Sequence, residues 1–387
     1  MRHDPLAEAL RGTTLDDHSA WQLALELFIA GYEGTTLPDD CAHMLENGLS
    51  GAILFKRNLL TLPDGALDLD ALSEQTESIH DAAAQCPWIR APAICSVDQE
   101  GGLVARLRKP FTEFPPMRTL GDRGDLELIH RVGVQLGREC QAAGFNVDYA
   151  PILDVDTNPL NPIIGNRAFS RDPVEVAQMA GALLEGLQST GVLGCGKHFP
   201  GHGDTDTDSH LDLPVLHHDL DRLKSVELLP FSRLSSHLDL VMTAHVLFPA
   251  LDEKWPATLS PQILEPLLRV QCKYRGVIVS DDLEMQGVAK LFSTRECIAA
   301  GLAAGCNVFL VCRRADVLRD ALDAAVAILQ APSDDALRIR ALQSITRVRA
   351  LRNKLIRPRA NAANLRALLA SAETANLRAR LGTGTLA

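Results

Sequence analysis

The stretch Gly276-Val-Ile-Val-Ser-Asp-Asp282 indicates the fold class of this 387-residue chain. Its apolar part is nearly continuous rather than alternating, which is typical of a strand buried on both faces of a parallel sheet. Seven comparable runs occur along the chain, although Glu26 interrupts the first of them. The predicted strands are Leu25–Ala30, Gly51–Phe55, Ala91–Val97, Asn146–Ala150, Leu193–Lys197, Leu238–Ala244, Gly276–Ser280 and Val308–Val311.

Helical patterns lie between these runs, so strands and helices alternate along the chain. The clearest predicted helices are Asp70–Gln85, Leu126–Ala143, Pro173–Thr190, Pro261–Lys273 and Thr294–Ala304. Eight strands with helical crossovers predict an α/β fold of the (β/α)8 TIM-barrel type, and an open doubly wound sheet is the competing arrangement. Because no linker divides the chain, we expect one domain. It consists of an N-terminal extension over 1–20, a barrel over 21–332, and basic C-terminal helices and a tail over 333–387.

The charge of the chain is uneven. The net charge is −11, which argues against a general nucleic-acid or anionic-membrane partner. Residues 336–387, however, contain eleven Arg or Lys and a single acidic residue, Glu373. We expect two basic helices here, about 334–355 and 361–380, that pack outside an acidic barrel. A separate polyanion-binding arm is the alternative, and the lack of aromatic residues in this region disfavours it.

The N-terminus and the cysteines indicate the cellular compartment of the protein. No apolar signal segment follows Met1, and no run of 18 or more apolar residues occurs. Nine cysteines are scattered without a CxxC pair, which suits a reducing compartment. We therefore expect a cytoplasmic protein. We also expect it to be a monomer whose partner is a small molecule.

Ionisable residues cluster just after the predicted strands. Asp98 follows the third strand, Lys197 ends the fifth, His245 follows the sixth and Asp281 follows the seventh. In a barrel these strand ends meet on one face, where barrel enzymes hold their active sites. The pattern indicates an enzyme whose ligand is a carbohydrate or a phosphate compound.

Asp281 has two interpretations. A carboxylate at the mouth of a barrel can attack an anomeric carbon and form a glycosyl-enzyme intermediate. Alternatively, an Asp at this position can cap the following helix. The spacing alone leaves both open. Only one of the adjacent pair Asp281 and Asp282 should face a substrate, and we expect Asp282 to be the structural one.

The segment Lys197-His-Phe-Pro-Gly-His-Gly-Asp-Thr-Asp-Thr-Asp-Ser-His210 is a polar loop rich in turn-forming residues. Asp208 and His210 lie two residues apart, so the carboxylate can orient the imidazole and raise its pKa. Such a histidine can deliver a proton near neutral pH. The alternative is a loop whose polar side chains only contact water.

A metal site is a second chemical interpretation of the same loop. His198, His202, Asp204 and His210 could supply nitrogen and oxygen ligands. The proline and glycine between the first two histidines make a helical zinc site improbable. We expect neither a metal nor another cofactor.

Three charged residues after the third and fourth strands are candidates for ligand binding. Arg106 and Arg167 could donate forked hydrogen bonds to hydroxyls or anionic substituents, or could simply lie at the surface. Asp98 could accept from two sugar hydroxyls, or could satisfy loop amides.

These motifs resemble glycoside hydrolase family 3, specifically its β-N-acetylglucosaminidases. The similarity rests on the loop Lys197–Thr205 with Asp208-Ser-His210, and on three further motifs in the family's order. Those motifs are Ser96-Val-Asp-Gln-Glu-Gly-Gly102, Asn166-Arg-Ala-Phe169 and Val279-Ser-Asp-Asp-Leu283. The similarity spans about residues 20–330. It is strongest to cytoplasmic enzymes of cell-wall recycling, which have the barrel without a second domain.

The resemblance implies a role for each matching residue. Asp281 matches the nucleophile, His210 the general acid/base and Asp208 its orienting partner. The residues that match the sugar-binding set are Asp98, Arg106, Arg167, Lys197 and His198. The implied reaction is a retaining, metal-free hydrolysis of terminal β-1,4-linked N-acetylglucosamine from muropeptides such as N-acetylglucosaminyl-anhydro-N-acetylmuramic acid. A phosphorylase with the same loop is an alternative, and a catalytically silent sugar-binding barrel is an alternative from another class.

Overall fold

A computed structural model of the chain, which describes residues 4–209 and 211–382, contains a closed barrel of eight parallel strands. The barrel strands are β1 (Phe28–Ala30), β2 (Gly51–Leu54), β3 (Ile94–Val97), β6 (Val147–Asp148), β7 (Leu193–Phe199), β8 (Leu240–Thr243), β9 (Val277–Asp282) and β10 (Val308–Val311). Two short strands, β4 (Gln99–Gly101) and β5 (Val104–Ala105), form a hairpin after β3. The first and last barrel strands pair in parallel, with Phe28 opposite Phe309. This pairing closes the barrel and confirms the (β/α)8 prediction against the open sheet.

Helices surround the barrel and continue beyond it. They are α1 (Pro5–Ala9), α2 (Asp17–Leu25), α3 (Asp39–Glu46), α4 (Leu69–Ala84), α5 (Met117–Gly121), α6 (Leu126–Ala142), α7 (Pro173–Gln188), α8 (Leu220–Ser225), α9 (Leu228–Leu234), α10 (Pro261–Ile263), α11 (Gln286–Ala289), α12 (Thr294–Ala304), α13 (Ala315–Leu329), α14 (Ala336–Arg352), α15 (Ala362–Leu369) and α16 (Ala372–Leu381). Single turns of 3-10 helix occur at Lys56–Asn58, Gly165–Arg167 and Ala257–Leu259. No helix in the described part of the chain has the length and apolar content needed to cross a bilayer.

The strands are buried on both faces, as their continuous apolar sequences predict. In β9, Val277 and Val279 pack in an inner cluster with residues of the other barrel strands, whereas Ile278 packs in the outer layer with the helices. The inner cluster also contains Val348 and Leu351 of α14. The first of the basic C-terminal helices therefore packs against the inner residues of the barrel itself.

The first strand is shorter than the sequence indicates. Leu25 belongs to α2 and β1 begins only at Phe28, so Glu26 lies in the connection between them. The carboxylate of Glu26 is fully buried and pairs with Arg349 of α14. The charge of Glu26 inside an apolar run is thus explained by an ion pair with a distant helix. Local periodicity in the sequence does not reveal such a pair.

Two predicted helices are wrong in detail. The predicted helix at 361–380 consists of the two helices α15 and α16, because Ser371 accepts a hydrogen bond from the Thr374 amide and starts a new N-terminus. The predicted helix Pro261–Lys273 is a short α-helix followed by a π-helix at Leu264–Gln271. Pro266 lies inside it and has no N–H to donate, which disturbs regular α-helical bonding.

Candidate active site

A cavity of about 810 Å³ opens at the carboxyl ends of the barrel strands. Six of the eight predicted site residues line it, namely Asp98, Arg106, Arg167, Lys197, His198 and Asp281. Asp208 is described and half-buried, and its neighbour Ser209 lines the cavity. His210 lies outside the described residues. The barrel thus brings together side chains that are up to 183 residues apart in sequence, between Asp98 and Asp281.

Lys197 is the centre of an ion-pair network in this cavity. Its Nζ lies 2.9 Å from Oδ1 of Asp98 and 2.6 Å from Oε1 of Glu100. Burial would lower the pKa of Lys197, but the two carboxylates outweigh it and raise the pKa above the usual value. The ammonium group is therefore fixed in its charged form.

Two arginines extend the network on either side of the lysine. Arg167 donates from Nε and Nη2 to the two oxygens of Glu100, at 2.9 and 2.8 Å, a bidentate pairing. Arg106 donates from Nη2 to Oδ2 of Asp98 at 3.3 Å. Burial would raise the pKa of Asp98, but Lys197 and Arg106 hold it below its usual range. Asp98 is therefore an ionised acceptor at the cavity wall.

Asp154 organises the two histidines that follow β7. Its Oδ2 lies 2.7 Å from Nδ1 of His198, and its Oδ1 accepts from the His202 amide at 2.7 Å. Burial would raise the pKa of Asp154, but His198 outweighs this effect and the pKa is lowered. The carboxylate fixes the ring orientation of His198, whose other nitrogen is left for a ligand in the cavity it lines.

Asp281 and Asp282 have different environments at the end of β9. Oδ1 of Asp281 accepts from the Asp282 amide at 2.8 Å. Oδ1 of Asp282 accepts from the amides of Glu284 and Cys312 at 3.1 and 3.2 Å, and burial raises the pKa of Asp282 to about 7. Asp281 does not cap the next helix, because α11 begins after Met285 without a side-chain cap. Both side chains line the cavity, and Asp282 is in addition fixed by the two amides that follow β9 and β10.

Hydrogen bonds at Ser209 and Leu211 hold the polar loop after β7 beside the segment that follows β9. Nε2 of His202 lies 2.9 Å from Oγ of Ser209, and the Gly287 amide donates to the Ser209 carbonyl at 3.1 Å. Lys290 donates from Nζ to the Leu211 carbonyl at 2.7 Å. Because Gly287 and Lys290 follow Asp281 closely in the chain, the loop tip and the end of β9 share one side of the cavity.

Most of the chain that forms this cavity matches the model of a known family. A family model described as the glycosyl hydrolase family 3 N terminal domain matches residues 30–348. The chain belongs to glycoside hydrolase family 3. This result confirms the resemblance that the loop and strand-end motifs carry.

The relatives of this family 3 chain have hexosaminidase names. A beta-hexosaminidase of Pseudomonas aeruginosa is 37% identical over 283 residues, which cover 73% of this chain and 79% of the relative. A beta-hexosaminidase of Nitrosomonas eutropha is 40% identical over 291 residues, with the same two shares. The protein is therefore a glycoside hydrolase of the β-hexosaminidase type, which confirms that it is an enzyme.

Solved structures agree with this family 3 assignment. A family 3 β-N-acetylglucosaminidase from Paenibacillus sp. str. FPU-7 has a TM-score of 0.82 and 34% identity, over 93% of this chain and 67% of that chain. NagZ from Neisseria gonorrhoeae, in complex with N-trifluoroacetyl-D-glucosamine, has a TM-score of 0.73 and 30% identity, over 93% and 98% respectively.

Two histidines of this family 3 site, His198 and His202, have hydrogen-bond partners among the described residues. His198 is engaged by Asp154 and His202 by two hydroxyls, those of Thr205 and Ser209. Within residues 4–209 and 211–382, no group of three or more His, Cys, Asp or Glu side chains is arranged to hold a metal ion. Asp204 instead pairs with His218, at 3.0 Å between Oδ2 and Nε2.

Three residues that build the site are not among the predicted site residues: Glu100, Asp154 and His202. Glu100 lies within the quoted strand-end motif, but the sequence does not show that its side chain is buried and pairs with Arg167 and Lys197. Asp154 lies four residues beyond the predicted fourth strand and has no motif around it. His202 is predicted only as a possible metal ligand, because the sequence does not show that both of its ring nitrogens have hydroxyl partners.

Proposed function

We propose that this enzyme is a retaining exo-β-N-acetylglucosaminidase in which Asp281 is the nucleophile. The observation that carries the proposal is the position of Asp281: it lies near the carboxyl end of β9 and lines the same cavity as Asp98, Lys197 and His198. Only the backbone amide of Asp282 donates to the Asp281 carboxylate among the described residues. The other oxygen is therefore left to approach an anomeric carbon.

The charges around the cavity fit a neutral sugar. Each cation of the network is paired with a carboxylate at 3.3 Å or less, so the wall has little unbalanced charge. A hydroxyl-rich ligand needs fixed, ionised acceptors and donors of this kind, because hydrogen bonds to charged groups are stronger than those between neutral groups. The sugar-binding set is Asp98, Arg106, Arg167, Lys197 and His198, with Arg167 and Lys197 held in place by Glu100.

The proposed mechanism has two steps. Asp281 attacks the anomeric carbon while His210 protonates the leaving oxygen, and the glycosyl group is transferred to the Asp281 carboxylate. His210, now neutral, then removes a proton from water, which attacks the same carbon and releases Asp281. Asp208 orients the His210 imidazole throughout. No metal is needed, because the imidazole supplies the acid and base chemistry.

The substrate we propose is the terminal β-1,4-linked N-acetylglucosamine of muropeptides, with or without peptide, in cytoplasmic cell-wall recycling. The relatives named beta-hexosaminidase support the hexosamine. The NagZ structure with N-trifluoroacetyl-D-glucosamine supports a 2-acylamino sugar in this type of site. The protein is expected to act as a monomer.

Paired substrates test the proposal. Purified enzyme is assayed with 4-nitrophenyl N-acetyl-β-glucosaminide and with the matching β-glucoside, and then with N-acetylglucosaminyl-anhydro-N-acetylmuramic acid. We expect a strong preference for the acetamido sugar and release of free N-acetylglucosamine. Equal rates on the two aryl glycosides would contradict the substrate assignment. N-acetylglucosamine 1-phosphate as the main product in added phosphate would identify a phosphorylase instead.

A further inference from the structure

His202 is a buried histidine that the proposed mechanism does not use. Its ring is held at both nitrogens: Nδ1 lies 2.8 Å from Oγ1 of Thr205, and Nε2 lies 2.9 Å from Oγ of Ser209. Its backbone is fixed as well, since its amide donates to Asp154 at 2.7 Å and its carbonyl accepts from Asn161 at 2.8 Å. The imidazole is thus a rigid part of the cavity wall.

The ring is neutral and can satisfy both hydroxyls. Burial, together with the neighbouring His198, lowers the pKa of His202 to about 4. A neutral imidazole has one N–H donor and one nitrogen acceptor. In either tautomer, one hydroxyl donates to the ring and the other accepts from it, so no buried polar atom of the three side chains is left unpaired.

The contact between His202 and Ser209 is important because of the position of Ser209 in the chain. Ser209 lies between Asp208 and His210 in the chain, and only 2% of it is exposed. Its side chain is held by His202 from the β7 wall, and its carbonyl accepts from the Gly287 amide on the β9 side. Ser209 is therefore a fixed point directly after Asp208 in the chain.

We propose that His202 is a positioning residue that acts through the Ser209 hydroxyl on the proposed proton-transfer pair, Asp208 and His210. This inference rests on the proposed function of that pair in proton transfer. Both ring nitrogens of His202 are engaged by hydroxyls, so the ring is not assigned a proton-transfer step of its own. Its effect should therefore fall on the protonation of the leaving group and not on sugar binding.

Ser209→Ala tests the contact with little risk to the fold, because the Gly287 amide still holds the backbone. Rates are measured on aryl N-acetyl-β-glucosaminides whose leaving phenols span a wide pKa range. We expect a loss in kcat of about tenfold for poor leaving groups and almost none for dinitrophenol, with KM little changed. Ser344→Ala is the matched control, since Ser344 is also 2% exposed and hydrogen-bonded but lies on α14.

Two substitutions at His202 separate the two contacts of its ring. Gln places a polar atom near the position of Nε2, and Asn places one near that of Nδ1. We expect His202→Gln to keep most of the activity on poor leaving groups and His202→Asn to behave like Ser209→Ala. We also expect the effects of the His202→Asn and Ser209→Ala substitutions to be non-additive in the double variant, as for residues in direct contact.

The outcomes distinguish this inference from the proposed function. If Ser209→Ala lowers activity equally on all leaving groups, or not at all, while His210→Ala shows the leaving-group dependence, His202 is not a positioning residue. If His210→Ala itself shows no such dependence, the proposed acid/base role is wrong and the inference is overturned with it.

Discussion

Glu26 and Arg349 form a two-hydrogen-bond ion pair that joins the barrel to α14. Nε and Nη2 of Arg349 donate to the two oxygens of Glu26 at 2.7 and 2.6 Å. The side chain of Glu26 is fully buried, and that of Arg349 is 35% exposed. The hydrogen bonds to Glu26 raise the pKa of Arg349. The pair fixes α14 against the connection that precedes β1.

Removing the arginine of this pair should destabilise the fold. Arg349→Ala leaves a buried carboxylate without its partner, which costs about 3–5 kcal/mol for buried pairs. The matched control on the same helix is Arg340→Ala, whose pair with Glu265 is more than 40% exposed on both sides and contributes about 1 kcal/mol or less. Urea unfolding measures both. A similar small loss for the two variants would show that the Glu26 pair does not stabilise the chain.

The charge of the C-terminal sequence predicts that its helices pack on the barrel, but it does not predict where each helix packs. Eleven basic residues after residue 335 predicted helices packed on an acidic barrel, and Arg357 and Arg366 indeed pair with Glu77 and Asp70 of α4. No local pattern indicates that α14 packs against the inner cluster of the barrel. Such contacts join segments more than 300 residues apart, as between Glu26 and Arg349, and periodicity reports only local spacing.

Glu100 should matter for catalysis although it was not predicted as a site residue. Glu100→Gln removes the charge that pairs with Arg167 and Lys197, so Lys197 keeps its ion pair with Asp98 and Arg167 loses its bidentate partner. We expect a loss in kcat/KM of about ten- to a hundredfold and a loss in stability of about 2–4 kcal/mol. The assay uses 4-nitrophenyl N-acetyl-β-glucosaminide, with exposed Glu113→Gln as the control. Unchanged kinetics in Glu100→Gln would show that the network does not position the substrate.

Asp282 should make stability depend on pH. Burial raises its pKa to about 7 in the folded chain from 3.8 in the unfolded chain, so the folded state holds a proton that the unfolded state has lost between these values. Its stabilising contribution is complete below the lower value and is lost as pH rises through the higher one, by up to about 4 kcal/mol. Asp282→Asn has no such proton. Its stability relative to the wild type should therefore increase between pH 5 and pH 8 in urea unfolding, and a constant difference would contradict the shift.

The proton transfer assigned to His210 has its own signature. His210→Ala should reduce kcat strongly on substrates with poor leaving groups and little on dinitrophenyl glycosides, which need no protonation. Asp208→Asn should show a weaker form of the same pattern, because the imidazole remains but loses its orienting carboxylate. Rates on a leaving-group series measure both. A uniform decrease over the whole series would argue against a general acid at this position.

The sequence predicts those residues of the candidate site that lie at the ends of strands. Asp98, Lys197 and Asp281 immediately follow or end apolar runs, so a barrel brings them to one face. Residues placed by irregular segments were not predictable in this way. Asp154 and Ser209 act through hydrogen bonds to His198 and His202, and these depend on loop geometry that no sequence period encodes.

The most direct test is to identify the residue that carries the sugar during turnover. The enzyme is incubated with 5-fluoro-N-acetyl-β-glucosaminyl fluoride, whose good leaving group and slow second step allow a glycosyl-enzyme to accumulate, and the labelled peptide is sequenced by mass spectrometry. We predict one fluorinated sugar on Asp281, and no label on an Asp281→Asn variant. A label on Asp282, on Glu284 or on any other side chain would contradict the account.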